Sequence, residues 1–351
     1  MKRLLIVFFA CSALSGVDSG TQHIEAAQLA PDCQTPRVKK AARTYRNPVV
    51  SVNLPDPTVI KAGDGYFYLY ATGRHTPVFR SSNLVDWEKV GNCFTDGTRP
   101  SWEPQAGIWA PDINRIDGKY VLYYSHSVWG GEWTCGIGVA VSDKPEGPFA
   151  DRGAMFRSNT IGVQNSIDQF YIEDGGKKYL IWGSFRGIYC IELEDDGLAV
   201  KAGAEKIRIA GTATEASYVH RRGKYYYYFG SAGTCCEGAN STYTVVAGRS
   251  ESLFGPYLTK DGRSLTDNYY EVVLHGNAIF AGPGHNAEIV TDDEGNDWML
   301  YHAYLKSNPE NGRVLLLDRI VWDDGWPAVP GLTPSGESDV PVFRSEGGMG
   351  E

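Results

Sequence analysis

The sequence predicts an all-β protein, a five-bladed β-propeller, on three observations. A glycine turn followed by an aromatic or aliphatic strand recurs five times. An acidic residue stands a short, similar distance upstream of each turn. Aromatic residues make up 12% of the chain, which also holds 41 glycines, and strands joined by glycine turns favour that mixture. The length of 351 residues accommodates two average domains or one large all-β or α/β domain.

The five turn-and-strand segments are "GDGYFYLYAT" (63–72), "DGKYVLYYSH" (117–126), "GGKKYLIWGS" (175–184), "RGKYYYYFGS" (222–231) and "EGNDWMLYHA" (294–303). Each strand alternates or runs apolar, as buried sheet strands do. The turns lie about 47 to 72 residues apart, which suits repeated sheet units with variable loops. A second element recurs downstream: a strand ending in Ser, a short polar turn and an aromatic strand. It is seen in "FRSSNLVDWEKVG" (79–91), "AVSDKPEGPFADRG" (140–153) and "AGRSESLFGPYLTKDG" (247–262), with "VLLLDRIVWDDGWPAV" (314–329) in the same place of the fifth unit. Each unit therefore reads as a four-stranded antiparallel meander. A β-sandwich would not explain so long a repeat, and a β-helix would need a much shorter one.

The start, "MKRLLIVFFACSALSG", has a basic Lys2-Arg3, an apolar run from Leu4 to Ala10 and small residues after it. That is the pattern of an export signal, and the run is too short to span a membrane. Cys11 follows it directly and is a candidate for lipid attachment; cleavage near Ser15 with full release is the alternative. The organisation expected is a signal over 1–20, a polar linker over 21–44, the propeller over 45–335 and a tail over 336–351. The protein is expected to be a monomer that is secreted, periplasmic or held at the cell surface by lipid. Six cysteines follow the leader: Cys33, Cys93, Cys135, Cys190, Cys235 and Cys236. Export permits disulfides, but the adjacent Cys235 and Cys236 are expected to be unbridged, and no spacing resembles a zinc site.

The net charge of −9 argues against nucleic acid, which calls for a basic patch. No glycine-rich phosphate loop, nucleophile elbow or Ser-His-Asp order is visible. What stands out lies upstream of the turns: Asp56 in "NLPDPTVI", Asp112 in "IWAPDINRI", Asp168 in "NSIDQFYI", Glu215 in "ATEASYVH", and His285 with Glu288 in "GPGHNAEIV". Each begins the first strand of its blade. First strands line the channel of a propeller, so these acids converge on the axis. Taken singly, each acid could cap a loop or pair with Arg74, Arg115 or Arg319. As a set, buried like charges are unfavourable unless protonated, paired or bound to a cation, and such arrangements cluster at functional sites. Glycoside hydrolysis needs one carboxyl to protonate the leaving oxygen and one carboxylate to activate water or attack the sugar. Trp109 and Trp129, near the mouths of the blades, offer flat apolar faces for sugar rings.

These segments, in this order over most of 46–330, resemble glycoside hydrolase family 43, and within it the endo-α-1,5-L-arabinanases. "RNPVVSVNLPDPTVI", "GIWAPDI", "NSIDQFYI", "CCEGANSTYTVVAGRSESLFGPY" and "GPGHNAEIVTDDEGNDWMLYHAY" carry the resemblance. It implies an inverting mechanism with Asp56 as general base, Glu215 as general acid, and Asp168 orienting the acid and raising its pKa. It further implies sugar subsites at Trp109 and Trp129, sugar hydroxyl contacts at Asn165 and Ser184, and a calcium ion held by His285 through water on the axis. The substrate implied is arabinan or its oligosaccharides. An exo-acting α-L-arabinofuranosidase or β-xylosidase remains open, since one blocked end of the groove would switch the mode. A non-catalytic sugar-binding propeller is the reading outside enzymes, and a matched acid and base speak against it. Two positions depart from the family habit: Gln169 stands where proline is usual after the third-blade aspartate, and Ala216-Ser217 follow the acid in place of Gly-Pro or Ala-Pro.

Overall fold

The computed structural model describes residues 43–344. The export signal, Cys11, Cys33 and nearly all of the expected linker lie outside these residues. Among the described residues, no helix is long and apolar enough to cross a membrane.

Five antiparallel sheets follow one another along the chain, each a meander in sequence order. Their innermost strands are Thr58–Lys61, Gly107–Ile116, Phe170–Asp174, Thr214–Arg222 and Phe280–Gly284. The second strands are Phe67–Tyr70, Lys119–Ser127, Lys177–Trp182, Tyr225–Ala232 and Asp297–Leu305, which are the five turn-and-strand segments of the sequence. The fifth blade adds one short strand, Val290–Thr291, beside its second. The five-bladed propeller is thus the observed fold.

The core lies between blades. Each sheet is apolar on both faces, so neighbouring blades bury one another. Leu69 and Phe79 of the first blade meet Leu300 and Leu317 of the fifth. Tyr68 and Tyr70 meet Leu122 and Tyr124 of the second. Tyr123 and Ile137 meet Leu180 and Trp182 of the third. The tyrosine run Tyr226–Tyr228 sits in the largest cluster, shared by blades three, four and five.

The circle closes through the segment before the first blade. Leu54 N–H donates to Arg313 O at 2.8 Å, and the Tyr45 hydroxyl to Leu317 O at 2.5 Å. The expected tail is part of this closure. Glu337–Asp339 pairs with Thr44–Arg46, and Phe343 packs on Phe67 with ring centroids 4.7 Å apart. The fold therefore runs past residue 335, because the chain after the fifth blade pairs with the segment that leads into the first.

The innermost strands share an irregularity. Five non-glycine residues at or beside these strands, one from each blade, share a left-handed backbone: Asp56, Ala110, Asp168, Ala216 and His285, with φ of 54, 40, 58, 56 and 46°. Ladder register shifts beside Ala110, Ala216 and His285, so these strands bulge and re-aim their side chains there. Left-handed backbone is costly outside glycine and persists where its surroundings hold it. Here each of the five N–H groups donates to a side chain of the preceding blade. Ala110 uses Thr72 (2.7 Å), Asp168 uses Ser125 (2.9 Å), Ala216 uses Asp168 (3.1 Å) and His285 uses Ser231 (2.9 Å). Asp56 closes the ring on His302 Nδ1 of the fifth blade (3.0 Å).

Candidate active site

The left-handed ring surrounds one end of the axis, where a cavity of about 610 Å³ opens. That size suits a small organic ligand. Asp56, Asp168, Glu215 and His285 line it together, with Trp109, Trp129, Asn165 and Ser184. The structure thus gathers every residue to which the resemblance gave a role.

Asp56 is buried and heavily paired. Its Oδ1 accepts from Arg313 Nη1 at 2.7 Å and lies 3.3 Å from His285 Nδ1. Its Oδ2 accepts from the Thr72 hydroxyl at 2.6 Å. Burial opposes the charged form, but the charges of Arg313 and His285 hold the carboxyl well below the usual carboxylate range. Asp56 is an ionised carboxylate at neutral pH.

Glu215 has a different environment. Its Oε1 accepts from the Tyr243 hydroxyl at 2.6 Å and its Oε2 from the Ser184 hydroxyl. Burial raises its pKa, against the pull of those two donors and of His285. Each oxygen keeps a second lone-pair position, so the carboxyl can carry a proton while accepting both bonds. Asn165 Nδ2 donates to Ser184 Oγ at 2.9 Å and to its carbonyl at 3.2 Å. In this structure Asn165 and Ser184 therefore face the cavity as a relay that holds the acid, an arrangement their sequence positions did not reveal.

Asp168 accepts from Ala216 N–H, the residue next to Glu215, and so anchors the bulge that carries the acid. Burial pushes its pKa up, His285 pulls it down, and Glu215 and Asp56 raise it, to about 7. Asp168 and Glu215 share this pocket, and the charge of Glu215 is one of the influences that raise Asp168. Burial is the leading cause for both. Gln169, in the place of the usual proline, donates through Nε2 to Ala110 O and accepts from Ser125 Oγ at 3.0 Å, joining blades two and three.

His285 sits among the three carboxylates. Burial lowers its pKa, but Asp56 first, then Asp168 and Glu215, carry it above the ordinary value. Among the described residues, no group of three or more His, Cys, Asp or Glu side chains could hold a metal ion. Calcium prefers six to eight oxygen ligands, so an ion at His285 fits only if water supplies most of its shell. Trp109 and Trp129 form one aromatic wall, centroids 6.4 Å apart, and Trp129 is 79% exposed.

Asp112 and Glu288 are not in this cluster. They couple to each other in a separate buried pair, where Glu288 accepts from Thr58 Oγ1 and Val59 N–H (each 2.8 Å) and Asp112 from Tyr171 N–H (2.7 Å). The five acids therefore form two groups, because Asp112 and Glu288 stand two and three residues beyond the left-handed position of their strands. Of the three arginines named from the sequence, Arg74 pairs with exposed Asp96, whereas the arginine that reaches the cluster is a different one, Arg313. Arg313, Tyr243, Thr72 and His302 were missed. For two of them a signal existed: the five turn-and-strand segments carry Thr72, Ser125, Ser184, Ser231 and His302 as their last or next-to-last residue, a side-chain acceptor near the same place each time. Arg313 and Tyr243 carry no comparable repeat.

Cys235 and Cys236 are bridged to each other, which corrects the expectation of two unbridged thiols. They lie on an excursion between the second and third strands of blade four, outside any ladder, so sheet pairing does not constrain them. Cys93, Cys135 and Cys190 are free and buried.

The glycosyl hydrolases family 43 model matches residues 45–327. The extracellular exo-α-(1→5)-L-arabinofuranosidase ArbA of Cellvibrio japonicus is 33% identical over 307 residues, covering 79% of this chain and 86% of that protein. The extracellular endo-α-(1→5)-L-arabinanase 1 of Bacillus subtilis is 35% identical over 291 residues, covering 78% and 87%. The solved α-L-arabinanase of Cellvibrio cellulosa complexed with arabinohexaose superposes with a TM-score of 0.73 at 32% identity, covering 79% of this chain and 95% of that one. Fold, cavity and sequence agree: the chain belongs to glycosyl hydrolases family 43 and is a glycoside hydrolase.

Proposed function

We propose that this enzyme cleaves α-1,5-L-arabinofuranosidic bonds within arabinan, with inversion at the anomeric carbon. The observation that carries this reading is the contrast in one cavity between Asp56, held ionised by Arg313, and Glu215, raised by burial. A carboxylate and a carboxylic acid are the pair that glycoside hydrolysis needs. Asp56 takes a proton from a water as its oxygen bonds to the anomeric carbon. Glu215 gives its proton to the glycosidic oxygen as that bond breaks. Asp168 positions the acid through the Ala216 N–H. Trp109 and Trp129 bind sugar faces. His285 lies between the carboxylates, and a calcium ion retained there through water by the neutral imidazole is the one cofactor in this reading. The protein is exported and acts as a monomer, either released or anchored at Cys11.

Asp56→Asn and Glu215→Gln are each expected to lower kcat on linear 1,5-arabinan by roughly 10²–10⁴-fold. Near-normal turnover in either variant would sink the assignment of roles. Mixed oligosaccharide products would establish endo action. One observation favours the exo mode, the similarity to the Cellvibrio japonicus arabinofuranosidase, and arabinose as the sole early product would decide for it.

A further inference from the structure

We propose that the Cys235–Cys236 disulfide is a sugar-binding surface, an apolar ledge on blade four that receives an arabinosyl unit in the cavity that Trp109 and Trp129 of blade two also line. The inference rests on the reading of the cavity as an arabinan site and adds a subsite to it.

The blades line the cavity with different chemistry. Blade two supplies the two tryptophans. Blade four supplies the excursion after Ala232, where Cys235 and Cys236 line the same cavity. Cys235 is half-buried and Cys236 exposed, so the bridge is presented to the groove. Unjoined, the two side chains would be oxidisable thiols with weak S–H donors. Joined, they become a compact pair of polarisable sulfurs flanked by methylenes, with no donor and only weak acceptors. Such a surface contacts the C–H face of a sugar and leaves hydrogen bonding to its neighbours, here Thr234 and Glu237, which also line the cavity.

The ledge is held in fixed relation to the acid. Thr234 N–H donates to Thr242 Oγ1 at 3.0 Å, Tyr243 N–H to Thr234 O at 3.0 Å, and Glu237 N–H to Ser241 Oγ at 2.9 Å. Gly233 turns the chain at φ +90°, where a Cβ would stand 2.6 Å from Thr242 O. The same short excursion ends at Tyr243, the donor to Glu215. A sugar resting on the disulfide is therefore placed relative to the proton donor by one continuous, cross-bonded loop. An exported protein keeps such a bridge oxidised.

The test compares the full-length enzyme with the Cys235→Ala/Cys236→Ala double variant on linear 1,5-arabino-oligosaccharides of graded length. The expected result is a KM about tenfold higher for the longer oligosaccharides, the size of one lost apolar contact. The loss should fall on KM rather than kcat, and the alkaline limb of the pH profile should stay in place. A purely structural role would disturb Tyr243 and shift that limb together with kcat, which would overturn the proposal, as would an unchanged KM. Should the double variant not fold, wild-type enzyme reduced under native conditions serves instead. Two newly titratable thiols with the same rise in KM support the ledge, and two thiols with no change in KM refute it. Wild-type enzyme inactive on linear arabinan would strike the functional reading itself, whereas active wild type with an indifferent disulfide strikes this inference alone.

Discussion

Asp56 and Glu215 share a cavity but not a titration range. Arg313 and His285 hold Asp56 low, and burial holds Glu215 high. Activity needs the first ionised and the second protonated. It is therefore present above the low pKa of Asp56 and lost as pH falls through it. It is also present below the raised pKa of Glu215 and lost as pH rises through it. Tyr243 donates to Glu215, and its buried phenol stays protonated well past the ordinary range. A donor to the charged form lowers a pKa. Tyr243→Phe is thus expected to move the alkaline limb of the kcat/KM profile to higher pH. A limb that stays or moves down would contradict this account of the acid. The roles of these residues were legible from sequence only as a pattern of acids before turns. Which acid is ionised was not, because that depends on Arg313, about 260 residues away along the chain in the hydrogen bond to Asp56.

At the level of the strand, the left-handed residue explains how one blade design yields unequal side chains at the axis. Each bulge is pinned by the preceding blade, so a blade cannot be repositioned without its neighbour. Gly284 shows how tight the arrangement is: a Cβ there would stand 2.1 Å from the Tyr243 ring. Gly284→Ala should cost about 1–3 kcal/mol through overpacking, read as a lower thermal midpoint. It should also lower kcat by displacing Tyr243 from Glu215. Full activity with an unchanged midpoint would show that the close approach has no consequence. The strands themselves were readable because their alternation and glycine turns are local properties. The bulges were not, since Ala110 and Ala216 are ordinary residues forced into rare backbone by partners from other blades. That is also why Asp112 and Glu288, alike in sequence spacing, fell into a separate buried pair.

Across the whole molecule, five sheets are joined by apolar faces outside and by the polar ring at the axis. An ion retained at His285 would tie that ring together, since His285 is bonded to blade four through Ser231 and faces Asp56 of blade one. Chelation is accordingly expected to lower the thermal midpoint, activity or both, by the binding free energy the ion contributes. Indifference of both to a strong chelator would count against a bound cation. Closure by Thr44–Arg46 against Glu337–Asp339 extended the domain beyond the boundary expected from composition, because short polar strands carry no periodicity to announce them. By itself the sequence determined the architecture and the acids around its axis, since turn chemistry, strand patterning and repeat length are written in neighbouring residues. Only the tertiary structure decided which acids meet, which one stays charged, what bonds hold the proton donor and that Cys235 and Cys236 are joined. Those outcomes depend on burial and on partners from other blades, and a linear pattern carries neither.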